Sequence, residues 1–248
     1  MSDVGTLLRE WRTSRRMSQL ELSSQTGVST RHLSFVETGR SRPTRDMILR
    51  LAGELDVPLR AQNELLLAGG YAPAWTENGL DGAPLAQVMS SLRDVLAGHD
   101  PYPAVLIDRH WTMIDANSSI TPLLEGCAPR LLEPPVNVLR LSLHPEGMAA
   151  RIDNLAEWRT HILDRLDQQA THTADPVLRT LHEELSGYPG GSLGSPPAAL
   201  VVPLRMNGLS FFSTTSVLGT PRDVTLSELA IEAFLPADAT TAAALHRR

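Results

Sequence analysis

Every fixed cation in this 248-residue chain is an arginine, 22 in all, with no lysine. The planar guanidinium forms paired hydrogen bonds to phosphate and to guanine in a way that a lysine point charge does not. The absence of lysine itself reads as a coding bias towards GC-rich codons. Nine of the arginines fall between residues 9 and 50 against four acidic residues, a local net charge of +5. Over residues 1–70 there are 10 Arg and 8 acids, net +2, and over 71–248 there are 12 Arg and 20 acids, net −8. The overall charge of −6 therefore joins a basic reader to an acidic partner domain.

Other residue types able to do chemistry are poorly placed for it. Gly190-Gly191-Ser192-Leu193-Gly194 matches the G-x-S-x-G pattern of a hydrolase nucleophile, which requires a strand before the serine and a helix after it. Tyr188-Pro189 precedes and Ser195-Pro196-Pro197 follows, so the segment reads as a loop. The eight His residues show no ligand spacing with Cys or carboxylates. No catalytic residue and no metal site are expected. Cys127 is the single cysteine, which excludes an intrachain disulfide and suits a reducing cytoplasm; it reads as apolar filler.

The basic region is organised by helix signals. Ser18 with Glu21 forms a capping box that opens a helix, and Gly27 supplies a turn where positive φ costs little. A second short helix follows from Thr30. Leu20, Leu22, Val28, Leu33 and Val36 are expected to pack the two helices together as a helix-turn-helix, whose second helix fits the DNA major groove. Val4, Leu7, Leu8 and Trp11 mark a helix before the pair. Met47, Ile48, Leu51, Ala52 and Leu55, after the cap Pro43-Thr44, mark another, and Pro58 to Ala68 a fifth.

Residues 6–70 resemble the XRE family of helix-turn-helix domains, through Arg12, Ser18-Gln19, Gly27-Val28-Ser29, Glu37-x-Gly39 and Arg42-Pro43. The resemblance implies that Gln19 reads the edge of a DNA site and that Ser29, Thr30, Arg31, Ser34 and Phe35 lie where base edges are reached. Arg31 suits guanine O6 and N7, while Thr30 or Phe35 suits a thymine methyl; His32 either faces a phosphate or packs inward. Arg40, Ser41 and Arg42 follow the helix and fit the phosphate backbone. The same resemblance makes Arg12 and Glu37 a structural ion pair, not a reading pair.

From Tyr71 the character changes. Pro73, Asn78-Gly79, Asp81-Gly82 and Pro84 mark a linker. Leu85 to Leu96 forms a helical stripe, Pro103–Asp108 and Trp111–Ala116 read as strands, and Thr121-Pro122 and Asp175-Pro176 as helix starts. A long helix is expected over Arg151–Ala170. Ala198–Met206 and Leu209–Val217 flank Asn207-Gly208, a strong hairpin turn. Val224–Leu235 carries both a helix cap and strand alternation, and is taken as a strand. Two strands, then helices, then three strands is the order of a PAS-type sheet with helices over one face, which forms a small-molecule cavity.

This second part resembles the MmyB-like regulators. The resemblance rests on Pro101-Tyr102-Pro103, Asp108-Arg109-His110-Trp111, Asn137-Val138-Leu139-Arg140, Leu143-His144-Pro145, Asn154 through Arg159, Leu209 through Thr214 and Phe234 through Asp238. It implies a transcription regulator whose PAS-like domain senses a small apolar or fatty-acyl-like molecule, with no other cofactor. An apolar tail is expected among Val105, Ile114, Leu139, Leu155, Trp158, Val201 and Phe212, and a polar head at Arg140, His144 or Asn154.

The expected organisation is an all-α five-helix XRE-type domain over 1–72, a linker over 73–84, and an α+β PAS-like ligand-binding and dimerisation domain over 85–248 with a five-stranded antiparallel sheet. The partners expected are a double-stranded DNA operator, a small-molecule ligand and a second copy in a homodimer. Neither a membrane-spanning stretch nor a signal peptide is seen, so a cytoplasmic protein without a membrane partner is expected. Two other functions stay open: a DNA-binding protein whose acidic domain only dimerises or docks a protein partner, and an enzyme with a DNA-binding appendage.

Overall fold

A computed structural model of the chain describes residues 3–191 and 201–247, and these divide into two units. The first runs to Asn78 and is completed by Thr171–Ala174 and Pro221–Ser227; the second holds the remainder.

The first unit contains α1 (Val4–Ser14), α2 (Gln19–Thr26), α3 (Thr30–Glu37), α4 (Arg45–Glu54) and α5 (Leu59–Ala68). Local chemistry sets the boundaries. The Ser18 side chain accepts from the Glu21 amide at 3.2 Å while the Glu21 carboxylate accepts from the Ser18 amide at 2.7 Å, completing the capping box. Gly27 ends α2 at φ 69°, and Thr44 caps α4 through the Met47 amide. Leu8, Leu22, Leu33, Ile48, Leu51 and Leu66 are the fully buried centre. Leu20 departs from expectation: it is 70% exposed, against 1% for Leu22. The buried face of α2 is Leu22, Ser23 and Thr26, and two residues back along a helix points away from that face.

Beneath the helix pair lies a buried ion pair. Arg12 Nε and Nη2 donate to Glu37 Oε1 and Oε2 at 2.6 and 2.8 Å, and Arg12 Nη1 donates to the Met17 carbonyl at 2.7 Å. Burial opposes ionisation of Glu37, but the hydrogen bonds from Arg12 and Gln19 and the charges of Arg12 and Arg9 outweigh it and hold its pKa below the usual carboxylate value.

Part of the stretch read as linker is fastened to this unit. The Asn63 side chain accepts from the Ala74 and Trp75 amides and donates to the Trp75 carbonyl, and Trp75 Nε1 donates to Gln62. Buried Asp223 accepts from the Thr76 hydroxyl and from both the amide and side chain of Asn78.

The second unit opens with α6 (Ala86–Gly98), then β1 (Ala104–Ile107) and β2 (Met113–Ala116). The helices α7 (Thr121–Leu124), α8 (Val138–Leu143), α9 (Leu155–Thr173) and α10 (Pro176–Ser186) follow. Next come β3 (Leu204–Met206), β4 (Leu209–Val217), the single turn α11 (Val224–Ser227), which belongs to the first unit, then β5 (Ala230–Pro236) and α12 (Ala239–Leu245). The strands form one antiparallel sheet in the order β2-β1-β5-β4-β3, five-stranded as expected. Asn207 and Gly208 turn the β3–β4 hairpin with φ 52° and 73°, the left-handed pair of a type I′ turn.

Val224–Leu235, ambiguous in sequence, is both things in succession. Asp223, not Thr225, caps its helical turn through the Leu226 amide, and the strand begins at Ala230. Of the strand expected over 198–206, residues 198–200 lie outside the described residues, as does Ser192 of the G-x-S-x-G segment. Val105 and Ile107 face the core shared with α8 and α9, whereas Ala104 and Leu106 point the other way and are buried too. β1 is therefore covered on both sides, α6 packing on β1 and β2, where helices over one face were expected.

Two expectations follow for the ion pair. Arg12→Ala leaves Glu37 buried without its cation and lowers stability by about 3–5 kcal/mol, read by urea unfolding of the full chain; replacing both residues by apolar ones recovers part of that loss. Because the folded pKa of Glu37 is depressed, its stabilisation is complete above the unfolded value of about 4.3 and is lost as pH falls through the lower folded value. Unfolding midpoints measured from pH 6 downward should fall for the wild type, and a Glu37→Gln chain should lose less over the same range.

Candidate functional site

Two surfaces bring chemistry-bearing side chains together, one in each unit. On the first, Thr30 and Arg31 are exposed at the start of α3, and Ser34 and Phe35 are half-buried one turn later. Ser29 serves as the N-cap, its Oγ accepting from the His32 amide at 3.2 Å. The Arg31 guanidinium lies 5.4 Å from the centre of the Phe35 ring, a cation–π contact across one helical turn that orients the arginine. At the end of α3 the amides of Arg40 and Ser41 both donate to the Phe35 carbonyl, at 2.8 and 3.1 Å, so Arg40, Ser41 and Arg42 follow the helix directly. Among the described residues, Arg31, Arg40 and Arg42 pair with no carboxylate.

Gln19, at the start of α2, is also anchored within the unit. Its Nε2 donates to Glu37 Oε2 at 2.7 Å, so the side chain is tied to the buried ion pair. The second oxygen of Glu37 needs this donor because Arg12 alone does not fill its lone pairs.

In the second unit the sheet and α7–α9 enclose a cavity of about 60 Å³. Its wall is apolar: Val105 of β1, Met113 of β2, Leu123 and Leu124 of α7, Leu139 of α8, Trp158 and Ile162 of α9, and Phe234 of β5. Polar atoms come from Ser142, Arg165 and Glu232. Arg165 Nη1 and Nη2 donate to Glu232 Oε1 and Oε2, each at 2.8 Å, and Nη2 is 2.6 Å from the Thr215 hydroxyl. The same guanidinium lies 4.5 Å from the Trp111 ring centre. One turn before Arg165, the pKa of His161 is lowered below its ordinary value by burial first and then by the charge of Arg165.

Trp111 reaches the cavity from a strained turn. Its φ is 66°, a left-handed conformation that a bulky residue rarely adopts. Asp108 Oδ1 supports the turn by accepting from the His110 and Thr112 amides, both at 2.8 Å, and Trp111 Nε1 donates to Gln169 at 2.7 Å.

The apolar cavity lies within the segment 88–247, which the sequence pattern of the MmyB-like transcription regulator ligand binding domain matches. The chain belongs to the MmyB-like transcription regulator family. A helix-turn-helix pattern matches residues 8–62. Similar proteins include uncharacterized HTH-type transcriptional regulators of Mycobacterium bovis and of two Mycobacterium tuberculosis strains, each 27% identical over 165 residues, covering 66% of this chain and 54% of theirs. The chain spans about half the length of the curated relatives it matches.

Within this MmyB-like domain, Val105, Leu139 and Trp158 of the expected ligand set line the cavity. The three expected head-group residues do not. Arg140 Nε and Nη2 are spent on Glu184, each at 2.8 Å, at the surface. His144 Nδ1 accepts from the Glu146 amide at 3.0 Å. The Asn154 side chain donates to the Pro203 carbonyl and accepts from the Arg205 amide, joining the start of α9 to β3.

Phe212 misses the cavity because strand side chains alternate: Phe211 is fully buried and its neighbour points to the other face. Val201 is exposed, and neither Ile114 nor Leu155 lines the cavity. Sequence reasoning missed Trp111, Ser142, Arg165 and Glu232. A signal existed: Glu232 shares the strand period of Phe234, and Arg165 the helical spacing of Trp158 and Ile162, so charges stood at inward positions of amphipathic segments. Among the described residues no cluster suits a metal ion, and no helix is long and apolar enough to cross a membrane.

Asp108→Ala should lower stability by about 1–3 kcal/mol by stranding two amides of the Trp111 turn, and the loss should appear in urea unfolding followed by tryptophan fluorescence.

Proposed function

We propose that this chain is a ligand-responsive transcription regulator that binds a DNA operator through α3 and, as a homodimer, holds a small apolar or fatty-acyl-like molecule in its MmyB-like domain. The observation that carries this reading is the apolar cavity with a short polar end. A domain built only to dimerise or to dock a partner needs no such internal space, and packed interiors seldom keep it. The DNA side of the reading rests on the exposed, carboxylate-free arginines of α3 and its following turn.

On this reading Arg31 reads a guanine, Thr30 and Phe35 contact a thymine methyl, and Arg40, Ser41 and Arg42 hold phosphates. Ser29 acts as the cap that fixes the start of the reading helix, and Ser34 faces the bases one turn on. Gln19 contributes through the orientation of Glu37. A two-fold dimer matches a pseudo-palindromic operator, and a ligand alters operator affinity by the difference in its affinity for the DNA-competent and incompetent states.

The test begins with a duplex selected from a random library by the full chain. Arg31→Ala should weaken that duplex by about 5- to 150-fold, the cost of one bidentate base contact, at unchanged thermal stability and with relaxed preference at one position. Arg42→Ala should weaken selected and random duplexes alike and reduce the salt slope by about one. Equal losses on both duplexes for Arg31→Ala would reject base reading by that residue. Organic extraction of the purified chain followed by mass spectrometry should release an apolar compound, and adding it back should change operator affinity; a compound without effect on DNA binding would reject the sensor.

A further inference from the structure

The polar end of the cavity is an ion pair already closed on itself. Glu232 is 4% exposed, and both its oxygens are engaged by Arg165 at 2.8 Å. The Thr215 hydroxyl adds a hydrogen bond at 2.9 Å to Oε2. The guanidinium is fixed on its other side by the Trp111 ring.

An arriving carboxylate would meet one cation whose charge Glu232 has cancelled, and would place a second anion beside that buried carboxylate. A neutral head meets a better match. Of the five guanidinium N–H groups, three are used by Glu232 and Thr215, leaving donors, while the carboxylate keeps acceptor capacity. Elsewhere in the lining, Ser142 Oγ accepts from Trp158 Nε1 at 2.9 Å, which leaves its hydroxyl hydrogen to donate. A hydroxyl, ester, lactone or amide uses such mixed donors and acceptors without displacing an ion.

Resting on the reading of this cavity as the ligand site, we infer that its ligand is an apolar molecule with a single neutral hydrogen-bonding head, and that the Arg165–Glu232 pair discriminates against free carboxylic acids. Glu232 is then the specificity-determining residue: it is the negative element that rejects the wrong head, as specific sites often contain.

The test is a matched pair of probes, hexan-1-ol and hexanoate, titrated into the full chain at pH 7.5. Tryptophan fluorescence is the readout, because Trp111 and Trp158 line the cavity. Wild type should bind the alcohol at least tenfold more tightly than the acid. Glu232→Gln, which frees the Arg165 charge, should tighten hexanoate at least tenfold while moving hexan-1-ol less than threefold. Hexanoate binding the wild type as tightly as the alcohol, or more so, would overturn the inference, and this comparison needs no variant to fold. A folded Glu232→Gln chain with unchanged preference would overturn the role given to Glu232. Failure of both probes to bind the wild type would instead overturn the ligand-site reading on which the inference rests.

Discussion

A carboxylate removed from water must meet a cation that fills its lone pairs, and both units of this chain are arranged around that requirement. In the first, Glu37 at the end of α3 receives Arg12 from α1 and Gln19 from α2, so one buried anion fixes three helices relative to each other. In the second, Glu232 of β5 receives Arg165 of α9 and Thr215 of β4, joining helix to sheet at the polar end of the cavity. Such pairs add little net stability over an apolar replacement, but each penalises every arrangement that leaves the charge unmatched. The first positions α3, the helix proposed to read DNA. The second sets the chemistry of the cavity wall.

The sheet order explains why the second pair stands where it does. The last strand to be made, β5, inserts between β1 and β4, so its residues are the most enclosed of the sheet. A charge there is tolerated only with a partner from the opposing layer, and α9 provides it from the same face that contributes Trp158 and Ile162. The strained Trp111 turn belongs to the same corner, its ring packed on the guanidinium. Strain and buried charge meet at one place in the domain, and that place is where the apolar wall is interrupted.

What was legible in the sequence was local. Ser18 with Glu21, Thr44, Asp175-Pro176 and Asn207-Gly208 each satisfy backbone groups within a few residues, and each marks an element boundary in the structure. The Asn207-Gly208 turn likewise placed the start of the strand Leu209–Val217 beside it. The polar residues of the cavity were not legible, because their roles depend on partners far away in sequence: Arg165 meets Glu232, 67 residues later. Arg140 and Asn154 looked available because their partners, Glu184 and β3, were invisible at that distance, whereas the partner of His144 is the local Glu146 amide, two residues on. The early part of the expected linker was likewise claimed by Asn63 and Asp223, two side chains whose sequence context gives no hint of it.

The same distinction resolves the paradox of an acidic chain with a DNA-reading domain. Net charge counts residues, whereas a polyanion responds to charges left unneutralised near its path. In the second unit Arg93, Arg109, Arg140 and Arg165 are matched to Asp115, Glu228, Glu184 and Glu232. In the first, Arg12 is consumed by Glu37, and Arg15 by the carbonyls of Leu55 and Asp56. Among the described residues Arg31, Arg40 and Arg42, at and after α3, pair with no carboxylate, so on the proposed reading they contribute to the field a duplex would meet there whatever the −6 of the whole chain. Acidic residues elsewhere, screened over about 8–10 Å at physiological salt, alter solubility far more than they alter this surface.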